Sequence, residues 1–239
     1  MWIRKYSNGT GRKKYIPKTF AAIARIATIV KTLVSVEEGA KGPDKDCGYE
    51  GPYIMAITGI PISMEGKTAA CAHLSPLENI TAACCDLWSN KSLQNIKLLA
   101  GHAPTVYMEQ LEYDTKLMNQ AIKEGEESIL NLQRLFVNSD RFFDPQALIL
   151  DAKVVIEISK EIVKGENCID ACKKACLKAL IIIQESIKKG QIIHDPKEDM
   201  WIELLKTEIA SITTNESQFI EEITPTIDSS KVILSGYGI

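Results

Sequence analysis

The chain has 239 residues, 45% of them hydrophobic and 25% charged, with a mean hydropathy of −0.04 and a formal net charge of −3 at pH 7. This composition excludes a disordered polyelectrolyte and supplies no overall basic field to draw nucleic acid. The longest apolar stretches, such as Phe20–Val30 and Ala179–Ile183, fall short of the roughly 20 apolar residues that a spanning helix needs. No membrane association is therefore expected. The basic N-terminus lacks the apolar run and small-residue cleavage site of a secretory signal. Seven cysteines, an odd number, in such a chain point to a reducing cytoplasm rather than a disulfide scaffold.

Residues 1–16 carry Arg4, Lys5, Arg12, Lys13 and Lys14 and no acid, and read as a solvated basic terminus. From about Pro17 to Thr28 the pattern is helical, with Pro17 suited to a first turn. Thr32-Leu33-Val34-Ser35-Val36 is β-prone and predicts a short strand. A loop dense in turn formers follows, from Glu38 to Tyr49, and it contains Cys47 among Asp44, Asp46 and Glu50. The apolar stretch Tyr53–Ile57 predicts a helix, and the sequence around Gly59–Lys67 a second short strand and its loop. This alternation has the rhythm of βα units, in which chemistry sits on loops after strands.

Beyond about residue 76 the pattern turns almost wholly helical. Helices are predicted near 77–88, 104–124, 126–137, 151–164, 167–189, 195–212 and 215–223. Asn79, Asp151 and Asp195 stand as caps, and Gly125, Gly165 and Gly190 as stops. Val154, Val155, Ile158 and Ile162 share one helical face.

Several residues invite a functional reading. Gly66-Lys67-Thr68 lacks the earlier glycine of a phosphate-binding loop. Cys71 and His73, and the adjacent pair Cys84-Cys85, have poor ligand spacing. Neighbouring side chains on a helix point about 100° apart, so the pair reads as core. Cys168, Cys172 and Cys176 recur every four residues beside Ala171, Ala175 and Ala179, a face suited to close helix packing. His102 and His194 sit in predicted loops without a ligand-spaced companion. Cys47, on a loop after a predicted strand, is either a structural or a functional thiol on pattern alone.

Several stretches resemble the methanol–corrinoid protein methyltransferases of methanogenic archaea, specifically their zinc-bearing catalytic subunit. They are EEGAKGPDKDCGYEG at 37–51, MAITGIPISMEGKTAACAH at 55–73, CCDLWSN at 84–90, YDTKLMNQA at 113–121, DPQALIL at 144–150 and EIVKG at 161–165. The resemblance runs from about residue 17 to the end. It implies the C-terminal portion of a (β/α)8 barrel of the TIM type, with about two parallel strands in residues 17–76, followed by a helical region at 77–239. It also implies zinc held by two cysteines and a glutamate, and a partner corrinoid protein that carries cobalamin. Within the DCGYE motif, Cys47 takes the place of one zinc ligand.

In the family the other cysteine and the glutamate lie upstream, yet residues 1–36 contain no Asp, Glu, Cys or His. About half of the family's length is absent. The expectation is a fragment, from a truncated, frameshifted or split gene, that needs a companion chain to supply the N-terminal half of the barrel. The alternative is an inactive fragment that acts at most as a helical interaction module.

The implied chemistry starts from methanol, a poor methyl donor because hydroxide leaves badly. A zinc ion with three protein ligands and one open position would polarise the methanol oxygen. The attacking nucleophile belongs to the corrinoid.

Overall fold

The structure, a computed structural model, describes residues 16–39, 47–59, 80, 105–193, 195–228 and 230–237. Among these residues the regular structure is entirely helical. Helix α1 spans Lys18–Glu37 and α2 spans Cys47–Thr58. Then come α3 (Thr105–Glu124), α4 (Glu126–Arg141), the single turn α5 (Pro145–Leu148) and α6 (Ala152–Ile162). Helices α7 (Cys168–Lys188), α8 (Asp199–Ser211) and α9 (Glu216–Ile223) complete the order.

The predicted strand at 32–36 does not form, because α1 runs through it to Glu37. Its apolar residues explain the correction. Ala22, Ile23, Ile26, Ile29, Val30 and Leu33 are buried at helical spacing and lie along one stripe. Packing of that stripe, mainly against α7, outweighs the β-preference of Val34 and Val36. The hydroxyls in this stretch are satisfied within the helix: Thr32 Oγ1 donates to the Thr28 carbonyl (3.1 Å) and Ser35 Oγ to the Lys31 carbonyl (3.2 Å). The expected second strand, the helix at 77–88 (apart from Ile80) and the cap at Asn79 lie outside the described residues.

Helix α7 is the central element. It packs on α1, α6 and α8, and α2 lies against α1 and α6. Ala171, Ala175 and Ala179 are buried along α7 and let α1 and α6 approach closely, as the alanine spacing predicts. Val155, Ile158, Leu180 and Ile183 are fully buried at the centre. Asp140, itself buried at the end of α4, accepts the backbone N–H of the fully buried Ile80 (2.8 Å) and so ties that residue to the core.

The helix ends are well specified. Asp151 accepts from Lys153 N, Asn167 from Asp170 N and Asp195 from Lys197 N. At the end of α7, Gly190 N donates to the Ile187 carbonyl and Gln191 N to the Ser186 carbonyl, with Gly190 at φ 66°. This paired closure needs a left-handed residue, which glycine supplies without a Cβ penalty.

Surface pairs give one testable titration. Asp170 accepts from Lys174 Nζ (2.6 Å) and from Glu166 N (3.0 Å), and these bonds hold its carboxyl below the ordinary value of 3.8. A group whose folded pKa is depressed contributes stability above its unfolded pKa and loses it as pH falls through the folded one. A carboxyl NMR titration should place Asp170 below 3.8, and Lys174→Ala should move it back up. An Asp170 that titrates alike in both proteins contradicts this bond pattern.

Candidate functional site

Cys47 does not end a loop; it is the first described residue after 39 and opens α2. The correction has a physical basis. The turn formers that predict a loop precede position 47, whereas the segment from Cys47 onward continues into Tyr53, Ile54, Met55 and Ile57. The first turn of a helix leaves backbone N–H groups without intrahelical acceptors, and its dipole favours negative charge. Cysteines at helix N-termini are accordingly more acidic than free thiols.

Helix α2 is anchored by its middle. Gly51, Pro52, Tyr53 and Ile54 are all buried. Pro52 has no N–H to donate to the Gly48 carbonyl, so the helical ladder is interrupted just after the first turn. The next residue, Tyr53, is fully buried and donates its hydroxyl to the Ile149 carbonyl at 2.5 Å. Glu50, in the first turn, borders an open cleft of 330 Å³. Phe20, Ala21 and Ala24 form its apolar wall, and Arg25, Thr28 and Gln146 its polar side. Arg25 Nε donates to Gln146 Oε1 there at 2.5 Å. Sequence reasoning does not find this cleft, since it joins α1, α2 and α5 across more than a hundred residues.

The cysteine ladder on α7 behaves as packing. Cys168 is exposed, Cys172 half-buried and Cys176 buried, where its Sγ lies 3.9 Å from the Ile23 carbonyl of α1. Burial, followed by the charges of Cys172, Glu216 and Glu37, raises the Cys168 pKa. The side-chain interaction with Cys176 lowers Cys172, while the same interaction and burial push Cys176 well up. Among the described residues no group of three or more His, Cys, Asp or Glu side chains could hold a metal ion. Cys71, His73, Cys84, Cys85, His102 and His194 lie outside the described residues. None of the described helices is long and apolar enough to cross a membrane.

Comparisons with known proteins agree with the motif reading. A curated relative from Methanosarcina barkeri (strain Fusaro / DSM 804), described as a methanol–corrinoid protein co-methyltransferase, is 40% identical over 173 residues, which cover 72% of this chain and 37% of the relative. Among solved structures, the chain resembles one in the crystal structure of the methanol:cobalamin methyltransferase complex MtaBC from Methanosarcina barkeri. That likeness has a TM-score of 0.73 and 31% identity, and covers 95% of this chain and 48% of the other. The chain thus spans less than half the length of either relative. The family profile of the methanol-cobalamin methyltransferase B subunit, MtaB, matches residues 5–237. With nearly the whole sequence matched by that profile, this chain belongs to the methanol-cobalamin methyltransferase B subunit family.

Proposed function

We propose that this chain contributes the Cys47-bearing part of an enzyme that transfers the methyl group of methanol to the cobalt of a corrinoid protein, with Cys47 as one thiolate ligand of a zinc ion. The observation that carries the reading is the family match over residues 5–237, which includes the DCGYE segment that opens α2. A helix N-terminus suits Cys47 to this task, because it favours the deprotonated sulfur that zinc requires. When bound in such a site, zinc acts as a Lewis acid toward the alcohol oxygen. The chain's own part is to supply the thiolate at a fixed place and to hold α2 against α1 and α6.

In this reading Cys47 is the one zinc ligand that the resemblance assigns to this chain. Residues 1–36 contain no Asp, Glu, Cys or His, and among the described residues no group of three or more such side chains could hold a metal ion. A catalytic zinc site needs three protein ligands. A companion polypeptide that supplies the N-terminal half of a TIM-type barrel, with the remaining ligands, completes the site in this reading, and the corrinoid protein with its cobalamin is the methyl acceptor. The relatives' greater length supports the first partner, and the MtaB–MtaC complex of the structural neighbour supports the second. The odd count of seven cysteines favours a reducing cytoplasm as the place of this activity.

Metal analysis of the purified chain checks the zinc assignment. The chain alone should carry zinc well below one equivalent, and addition of the companion half should raise it to stoichiometry in wild type but not in Cys47→Ser. Stoichiometric zinc in the chain alone, lost on Cys47→Ser, would show that no companion is needed.

One observation favours a second reading. The described helices close a contiguous hydrophobic core of their own, from Ala22 on α1 to Ile209 on α8. A fragment with such a core persists as a helical interaction module without catalysing methyl transfer.

A further inference from the structure

We infer that Tyr53 is a positioning residue for Cys47: its hydroxyl, bonded to the Ile149 carbonyl, fixes the helix that Cys47 opens. The role of Cys47 rests on the function proposed above; the mechanical link between Tyr53 and Cys47 does not.

The two residues lie six positions apart on a twelve-residue helix. Between them stands Pro52, which cannot donate to the Gly48 carbonyl. The first turn therefore depends on whatever holds the chain just beyond the proline, and Tyr53 is the first residue there. It is fully buried, and its Oη–Ile149 O distance of 2.5 Å is that of a short hydrogen bond.

The acceptor is well chosen. Ile149 is the C-cap of α5, where carbonyls lack intrahelical donors. The surrounding turn is closely packed and hydrogen-bonded. Leu148, Ile149 and Leu150 are all fully buried, and the Ile149 N–H bonds back to Ala147 and Pro145. Asp144 caps α5 and Asp151 caps α6 on either side of this turn. The bond thus ties the middle of α2, just past the proline, to a point 96 residues away in sequence.

The test compares Tyr53→Phe with Leu205→Ala in the full chain. Leu205 is buried on α8, which packs on α7 and α1, and its truncation lowers stability without removing the Tyr53 bond. Iodoacetamide labelling, resolved by peptide mass spectrometry, gives the rate at Cys47 relative to the exposed Cys168 in the same molecules. Loss of a buried hydrogen bond loosens the first turn, so Tyr53→Phe should raise that ratio roughly tenfold. Leu205→Ala should leave it unchanged.

An unchanged ratio in Tyr53→Phe, or an equal change in Leu205→Ala, overturns the inference. Failure of the zinc assignment is read separately. If Cys47→Ser leaves the zinc content of the chain with its companion half unaltered, Cys47 is not a ligand, yet the labelling ratio still decides whether Tyr53 positions it.

Discussion

Glu198→Ala should lower the free energy of unfolding by about 2–3 kcal/mol, since it strips one buried and one half-buried backbone donor of a charged acceptor. Glu198 ends the short 3-10 turn Pro196–Glu198 that precedes α8. Its carboxylate reaches the start of α1, where Oε1 accepts from Lys18 N (3.1 Å) and Oε2 from Thr19 N (2.9 Å). These are among the N–H groups that a helix cannot satisfy internally, and Pro17 before them has none to satisfy.

The negative charge also lies at the favourable end of the α1 dipole. With Glu198 only 6% exposed and Thr19 1% exposed, water has little access to replace the lost bonds. Glu198→Gln keeps one acceptor oxygen but turns an N–H₂ group toward a donor, so it should recover only part of the loss. Urea denaturation at constant m-value measures both variants. A useful contrast is Glu157→Ala, which removes an exposed ion pair with Lys178 (3.0 Å) and should change stability by about 0.5 kcal/mol or less. A Glu198→Ala loss no larger than that of Glu157→Ala contradicts the cap.

Gly165→Ala should cost about 1–3 kcal/mol through steric overlap. Gly165 lies in the turn between α6 and α7, and a Cβ there would stand 2.5 Å from both Cα and Cβ of Ala171 and 2.6 Å from its N. The obstruction is helix backbone, so no side chain can rotate out of the way. Nor can α7 easily retreat. Its N-terminus is fixed by Asn167, which accepts from Asp170 N (2.9 Å) and donates through Nδ2 to the Thr214 carbonyl (2.9 Å).

Gly190→Ala provides a mechanistic comparison. Nothing lies within 4 Å of a Cβ at that position, and its cost of about 1 kcal/mol arises from φ 66° alone. Thermal unfolding should therefore rank Gly165→Ala as the more damaging of the two. The reverse order would mean that the α6–α7 turn can open.

The helices legible in the sequence are those with local punctuation. Asp151 and Gly190 mark boundaries within one or two residues of those observed, and Asp195 caps the 3-10 turn that leads into α8, because caps and stops act through neighbours in the chain. The helix α1 was legible only at its start. Thr32, Val34 and Val36 carry a β-preference, and the opposing influence, the packing surface of α7, lies some 140 residues downstream. The four-residue α5 is too short to show a period at all.

Long-range polar bonds were equally hidden. Nothing near Lys18 in sequence announces Glu198, and nothing near Tyr53 announces Ile149. For Cys47, residue pattern alone leaves structural and functional readings open, and the zinc-ligand role is what the motif resemblance implies. That resemblance pointed to the family now matched across residues 5–237. It assigned no place to the cleft at Arg25, Glu50 and Gln146, which exists only once α1, α2 and α5 are assembled.

The most direct test of the proposed activity is methyl transfer from methanol to a reduced corrinoid protein, followed by the absorbance change of the cobalt centre. The assay is run with this chain alone and with a polypeptide corresponding to the part of the Methanosarcina barkeri relative that the match does not cover. The account predicts no methylation by the chain alone, methylation when the second polypeptide is added, and its loss in Cys47→Ser. Methylation by the chain alone, or activity in the combined system that survives Cys47→Ser, would contradict it.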